Sequence, residues 1–142
     1  MKTLPVTNAS PVLRTHFDNQ RGWEDICEEI QRPSPEGFEA QVEFIDDPAF
    51  DGLNKQQLLD SVPKDYPHSF ILVVDKEALL SSEHPVLVVN PHDDDRGSQI
   101  GREFRCIPRE IWGVENNLSL ANMDFGDFAD AVDEDGVFRD FR

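Results

Sequence analysis

The chain has 142 residues, enough for one domain with a real core, and 38% of them are apolar, with ten Phe and two Trp supplying bulk that a disordered chain lacks. Asp and Glu number 29 against 13 Lys and Arg, a formal net charge of −16. That balance argues against direct binding to nucleic acid phosphates or to an anionic membrane, both of which require Lys and Arg, and it favours a basic protein partner.

A lead-in over residues 1–10 precedes one globular domain that takes in the rest of 1–142. Val12 to His16 reads as a first strand, and Phe17-Asp18 offers an apolar residue followed by an N-cap. The helix that follows carries Trp23, Ile26, Cys27 and Ile30 at i, i+3, i+4 and i+7, and ends before Pro33. Pro33-Ser34-Pro35-Glu36-Gly37 is turn chemistry, after which Ala40, Val42 and Phe44 alternate as in a strand with one wet face, at an edge or half-covered position. Asp46-Asp47-Pro48 breaks that strand, and Asn54 with Gln57 forms a capping box for a helix through Leu58, Leu59 and Val62. The continuous apolar runs Phe70 to Val74 and Val86 to Val89 read as central strands covered on both faces, with one or two helical turns over Asp75 to Leu80 between them.

Glu103 to Ile107 alternates and suits an antiparallel strand at the sheet edge, and Pro108 opens a short helical turn through Trp112. Ile111 to Phe141 organises the remainder. Phe125, Phe128, Ala129 and Val132 share one side of a helix, Asp124, Asp127 and Asp130 take the others, Asp124 is its N-cap and Gly136 its stop. The expected fold is α/β, with α+β as the alternative: a single-domain sandwich of a mixed sheet of about five strands, helices packed on it, and a C-terminal amphipathic helix.

Chemistry is sparse. Asp18, Asp46, Asp47, Asp75 and Asp93 to Asp95 follow predicted strands, where open α/β sheets bind ligands, so Asp46, Asp47, Asp93, Asp94 and Asp95 could hold Mg²⁺ for phosphoryl transfer or hydrolysis. Against this, Asp18 and Asp75 serve as helix caps, Asp46-Asp47-Pro48 as a turn, and no phosphate loop accompanies them. Asp133-Glu134-Asp135-Gly136 lacks both end ligands of an EF-hand loop. His16, His68, His84 and His92 show no metal-binding spacing, and Cys27 and Cys106 lie on apolar stripes, expected as free, buried thiols. No catalytic residue, metal site or cofactor is therefore assigned. The first ten residues show no charged-then-apolar leader and no segment is apolar for ~18 residues, so the expected location is the cytoplasm.

LSLANMDFGDFADAVDEDGVFR, PSPEGFEAQVEFIDDPAFDGL and DYPHSFILVVD together resemble a family of small acidic bacterial proteins classed as a domain of unknown function, from about Leu13 to Phe141. NLSLANMDFGDF is also similar to terminal segments of bacterial toxin-immunity proteins. That second resemblance implies a non-enzymatic inhibitor that neutralises a cognate toxin through the toxin's basic surface, without direct contact to nucleic acid or membrane. The residues expected to meet the partner are Asp124, Asp127, Asp130, Asp133, Glu134 and Asp135, the acidic loop Asp93, Asp94 and Asp95, and Trp112. An Mg²⁺-dependent enzyme and an intracellular adaptor remain as alternatives.

Overall fold

The computed structural model describes residues 2–93 and 99–141. Strands β1 (Ser10–Arg14), β2 (Val42–Ile45), β3 (Ile71–Val74), β4 (Val86–Val89), β5 (Glu103–Cys106) and β6 (Val137–Phe138) form one sheet in the order β2-β1-β3-β4-β5-β6. β2, β1 and β3 run parallel, β4 is antiparallel to β3 and β5, and β6 is parallel to β5. The sheet is mixed and the fold is α/β.

The two apolar runs are central. Every residue of β3 and β4 is buried, and the period of two sends Leu72, Val74, Val86 and Val88 into one core and Ile71, Val73, Leu87 and Val89 into a second. The first core takes Trp23, Ile26 and Ile30 of α1 (Gln20–Gln31), Ala78 and Leu79 of α3 (Lys76–Leu80), Ile111, Val114 and Leu118 of α4 (Ile111–Ser119), and Phe125 and Phe128 of α5 (Phe125–Ala129). The second is thinner, with Leu4, Phe50 of a 3₁₀ turn, Leu58 of α2 (Lys55–Asp60) and Tyr66.

Several boundaries differ from the sequence reading for local reasons. β1 starts at Ser10 and ends at Arg14, and α1 is capped by Asn19 instead of Asp18, its side chain accepting from the Gly22 N–H at 2.9 Å. A Cβ on residue 22 would lie 2.6 Å from Asn19 Nδ2, so this cap needs glycine there. The capping box of α2 is present as expected, but its helix stops at Asp60. The turn begun by Pro108 continues into α4 as far as Ser119.

The C-terminal helix is far shorter than the periodicity suggested. It opens at Asp124, whose N–H donates to Asp127 Oδ2 at 2.8 Å, and it ends after Ala129, leaving Val132 outside. A tight turn follows: the Gly136 N–H donates to the Asp133 carbonyl at 2.9 Å, the Asp133 N–H to the Val137 carbonyl at 3.0 Å, and Gly136 has φ +81°. The chain then turns back and adds Val137–Phe138 to β5, so β5 is not the sheet edge.

Candidate interaction site

Open α/β sheets bind ligands at the carboxyl ends of parallel strands, where successive crossovers leave for opposite faces. Here that point lies between β1 and β3, because α1 packs in one core and α2 in the other. Arg14, at the carboxyl end of β1, turns its side chain to the start of α1 and the end of β2. Arg14 is 2% exposed; its Nε donates to the His16 carbonyl at 3.1 Å, and its Nη1 to Gln20 Oε1 at 2.8 Å and to Asp46 Oδ1 at 3.2 Å. Its guanidinium carbon lies 4.4 Å from the Phe17 ring and 5.4 Å from that of Trp23.

The acids considered for Mg²⁺ are separated by the sheet. Asp46 serves Arg14, and Asp47 caps the 3₁₀ turn through the Ala49 N–H at 2.9 Å and pairs with Lys2, which holds its carboxyl below the ordinary value. Both lie at the carboxyl end of β2. Because β4 is antiparallel to β3, the residues after Val89 sit instead beside the amino end of β3, where Asp93 Oδ1 accepts from the Ile100 N–H at 2.7 Å. Asp94 and Asp95 lie outside the described residues. Among the described residues no three His, Cys, Asp or Glu side chains are placed to hold a metal ion. Both thiols are free, Cys106 buried as expected and Cys27 only half-buried. Burial, followed by the Asp46 carboxylate, pushes that of Cys27 up to about 12, and burial raises that of Cys106 well above its ordinary value, so both stay protonated at neutral pH.

Most of the C-terminal acids already have work inside the molecule. Asp130 pairs with Arg102 at 2.5 Å. Arg139 gathers Asp133 at 2.7 Å, Asp135 at 2.6 Å and Glu83 at 2.8 Å, and its hydrogen bonds hold the carboxyls of Glu83 and Asp135 below their ordinary values. Asp124 and Asp127 start α5, and Glu134 is exposed. Arg102 and Arg139 thus engage Asp130, Asp133 and Asp135 from within the molecule, and the face stays acidic.

Trp112 stands elsewhere, in the first turn of α4, with its ring stacked on Phe38 at 5.2 Å between centroids and 9° between planes. Phe38 is 51% exposed, so the pair opens to solvent. The proline-rich turn presents it: the Gly37 N–H donates to the Ser34 carbonyl at 2.8 Å, the Ser34 N–H to the Phe38 carbonyl at 2.8 Å, and the Phe38 N–H to Ser34 Oγ at 3.0 Å. Gly37 at φ +90° takes the one position in this turn that other residues reach only with strain.

Beside Trp112 a cleft of about 700 Å³ runs between the end of α1 and the start of α4. Pro33, Pro35 and Trp112 supply its apolar wall, Glu29, Glu36, Glu110 and Asp140 its carboxylates, and Arg32 and Arg109 its cations. Arg32 is directed to Glu28 at 3.4 Å. Burial raises the Glu110 carboxyl above its ordinary value, and the carboxylates of Asp140 and Glu36 raise it further against the pull of Arg109. Crowded carboxylates beside an open aromatic face suit a guanidinium or ammonium group. The sequence singled out Trp112 but missed Phe38 and Glu110, since only the fold brings residues so distant in the chain together.

A second cleft, of about 410 Å³, opens at the amino ends of β1 and β2 over Glu115, which is 3% exposed. That carboxylate accepts from Ser119 Oγ at 2.6 Å, the Gln41 N–H at 2.7 Å, Asn116 Nδ2 at 3.0 Å and Ser10 Oγ at 3.1 Å. With its acceptor capacity filled, it ties α4 to the sheet.

Fold and surface together define a small α/β protein with a mixed sheet, a buried arginine at the end of β1, and an acidic cleft edged by an aromatic pair. The chain belongs to the family described as a domain of unknown function, DUF6924, which matches residues 9–141. No curated protein matches it. Among the described residues no helix is long and apolar enough to cross a membrane.

Proposed function

We propose that the protein is a non-enzymatic binding protein for a basic partner, that it works in the cytoplasm, and that it acts as an immunity-type inhibitor occupying the cation-lined groove of a bacterial toxin. The observation that supports this is the exposed Phe38–Trp112 stack beside the carboxylates of Glu29, Glu36, Glu110 and Asp140. Aromatic anchors carry a large share of interface energy, and a cation over an indole face adds ~0.5–2 kcal/mol depending on its desolvation. The net charge of −16 steers a basic partner inward at low salt. An intracellular adaptor would use the same cleft and differ only in what it binds. The Mg²⁺-dependent alternative has no such observation behind it, since Asp46 and Asp47 lie across the sheet from Asp93.

Titration calorimetry against the protein products of neighbouring genes tests the reading. Trp112→Ala is expected to weaken binding at least ~10-fold, equivalent to about 1.4 kcal/mol. Asp127→Lys/Asp130→Lys is expected to lose less affinity than Trp112→Ala, with association slowed at low salt only through the weaker long-range field, because Asp130 is paired with Arg102 and Asp127 with the start of α5. Wild-type affinity in Trp112→Ala, with a loss of affinity in the charge-reversed variant that persists at high salt, would move the interface to the C-terminal acids.

A further inference from the structure

The sheet ends on β6 at one side, where the outward N–H and carbonyl of Val137 are taken by Asp135 Oδ1 and the Asp133 N–H, and on β2 at the other, which no described strand pairs from outside. The Ser10 N–H donates to the Gln41 carbonyl at 3.1 Å, and the Thr15 N–H to the Val74 carbonyl at 3.1 Å. Because a parallel ladder alternates, the backbones of Gln41, Glu43 and Ile45 face β1, and those of Val42 and Phe44 face outward. Among the described residues nothing hydrogen-bonds to those outward groups.

Natural proteins blunt such edges with Lys, Pro or a bulge, and Val42-Glu43-Phe44-Ile45 has none of these. Its protection is charge of one sign. Glu39 and Glu43 lie exposed along the edge with no ion pair among the described residues, Glu43 accepting from the Ala9 N–H at 3.1 Å through Oε1, so a second copy of the chain pairing there would set carboxylates against carboxylates. A basic strand meets the opposite condition. The edge leads along the chain from the aromatic stack, because Phe38 lies just before β2, and between them Asn116 of α4 donates to the Glu39 carbonyl at 3.0 Å beside the second cleft.

We propose that the basic partner enters as an extended segment that adds a strand to the open edge of β2, its main chain bonding to Val42 and Phe44, its cationic side chains set against Glu39 and Glu43, and its end reaching the Phe38–Trp112 stack. This rests on the reading of the protein as a binder of basic partners, and it names the form that partner takes. Strand addition draws affinity from main-chain hydrogen bonds and specificity from alternate side chains.

The test titrates ¹⁵N-labelled protein with a short peptide of alternating arginine and valine, and with two isomers of it, one N-methylated at every arginine and one at every valine. Only one set of alternate amides can face β2, so one isomer is expected to lose affinity at least ~10-fold and the other to bind nearly as the parent does. The parent peptide should shift and protect the Val42 and Phe44 amides, and Glu43→Lys should weaken it comparably. If both isomers bind like the parent while Trp112→Ala removes binding, the cleft takes its partner without strand addition, which overturns this inference and leaves the proposed function standing. If neither the Val42 and Phe44 amides nor the Trp112 fluorescence responds to the parent peptide, both are overturned. Concentration-dependent dimerisation that protects the Val42 and Phe44 amides without peptide would assign the edge to a second copy and overturn the inference too.

Discussion

Glu110 is the residue at which the charge of the cleft can be read out by pH. Burial raises its carboxyl, and the Asp140 and Glu36 carboxylates add to that, so the folded chain favours its neutral form. Its contribution to stability is therefore complete below its unfolded pKa and is lost as pH rises through the raised folded value. Glu83 and Asp135 behave oppositely. Hydrogen bonds from Arg139 lower both, so their contribution is present above their unfolded pKa and is lost as pH falls through the lowered folded values. A cation seated beside Glu110 reverses its preference and drives the proton off. Binding of a basic ligand should release protons at a pH near that raised pKa, which calorimetry in buffers of differing ionisation enthalpy measures directly. Glu110→Gln should abolish the release; release that survives the substitution would place the cation at another carboxylate.

At the scale of elements, α5 shows what packing does for a helix too short to hold itself. A five-residue helix cannot repay its own nucleation, so the Asp124–Asp127 cap and its two phenylalanines must hold it. Phe128 is in ring contact with Phe104 at 6.3 Å, Phe138 at 5.2 Å and Phe141 at 5.4 Å, and thereby joins α5, β5, β6 and the chain end. Phe128→Ala is expected to cost ~3–5 kcal/mol through lost burial and a residual cavity, seen as a lower urea midpoint, and to loosen β6 first in amide exchange. A midpoint within ~1 kcal/mol of wild type would mean that the aromatic cluster collapses into the gap. The same element marks the limit of what the chain showed in advance. Phe125 and Phe128 at helical spacing and the Asp124 cap were legible because they are local, as were the β3 and β4 runs and the capping box of α2. The early end of α5 was not, because what stops it is Val137 and Phe138 pairing with Arg105 and Cys106, a contact between residues remote in the chain. The cleft escaped for a like reason: Trp112 reads as an exposed aromatic in sequence, but only folding sets Phe38 on it and Glu36 and Asp140 near Glu110. Asp93 misled because a residue after a strand lies at the ligand-binding end only when that strand runs parallel to its neighbours, and β4 does not.

For the whole molecule, the question is where a charge can be borne. The sheet keeps its acids at edges, turns and helix starts and excludes ionised side chains from β3 and β4, whose outward positions on both faces are covered by apolar groups. Val73 sits in register between Leu13 of β1 and Leu87 of β4 and is 3% exposed, in the thinner of the two cores. Val73→Asp would put a carboxylate there in the apolar cluster of Leu4, Leu13, Phe50 and Leu87. The cost is several kcal/mol, comparable with the ~5–15 kcal/mol that holds a domain of this size together, so the variant should lose its cooperative melt. Val42→Asp is the matched control. The same substitution at the half-buried open edge, where Val42 packs on the rim of the first core, leaves the carboxylate in contact with water and should cost about 1 kcal/mol, the central value for a single substitution. Measured side by side by thermal unfolding, the two variants separate a general intolerance of added negative charge from the specific need for a dry centre. Equal losses would assign the instability to net charge, and a cooperative, wild-type melt in Val73→Asp would mean that the second core admits water and that α2 and the N-terminal segment do not seal it.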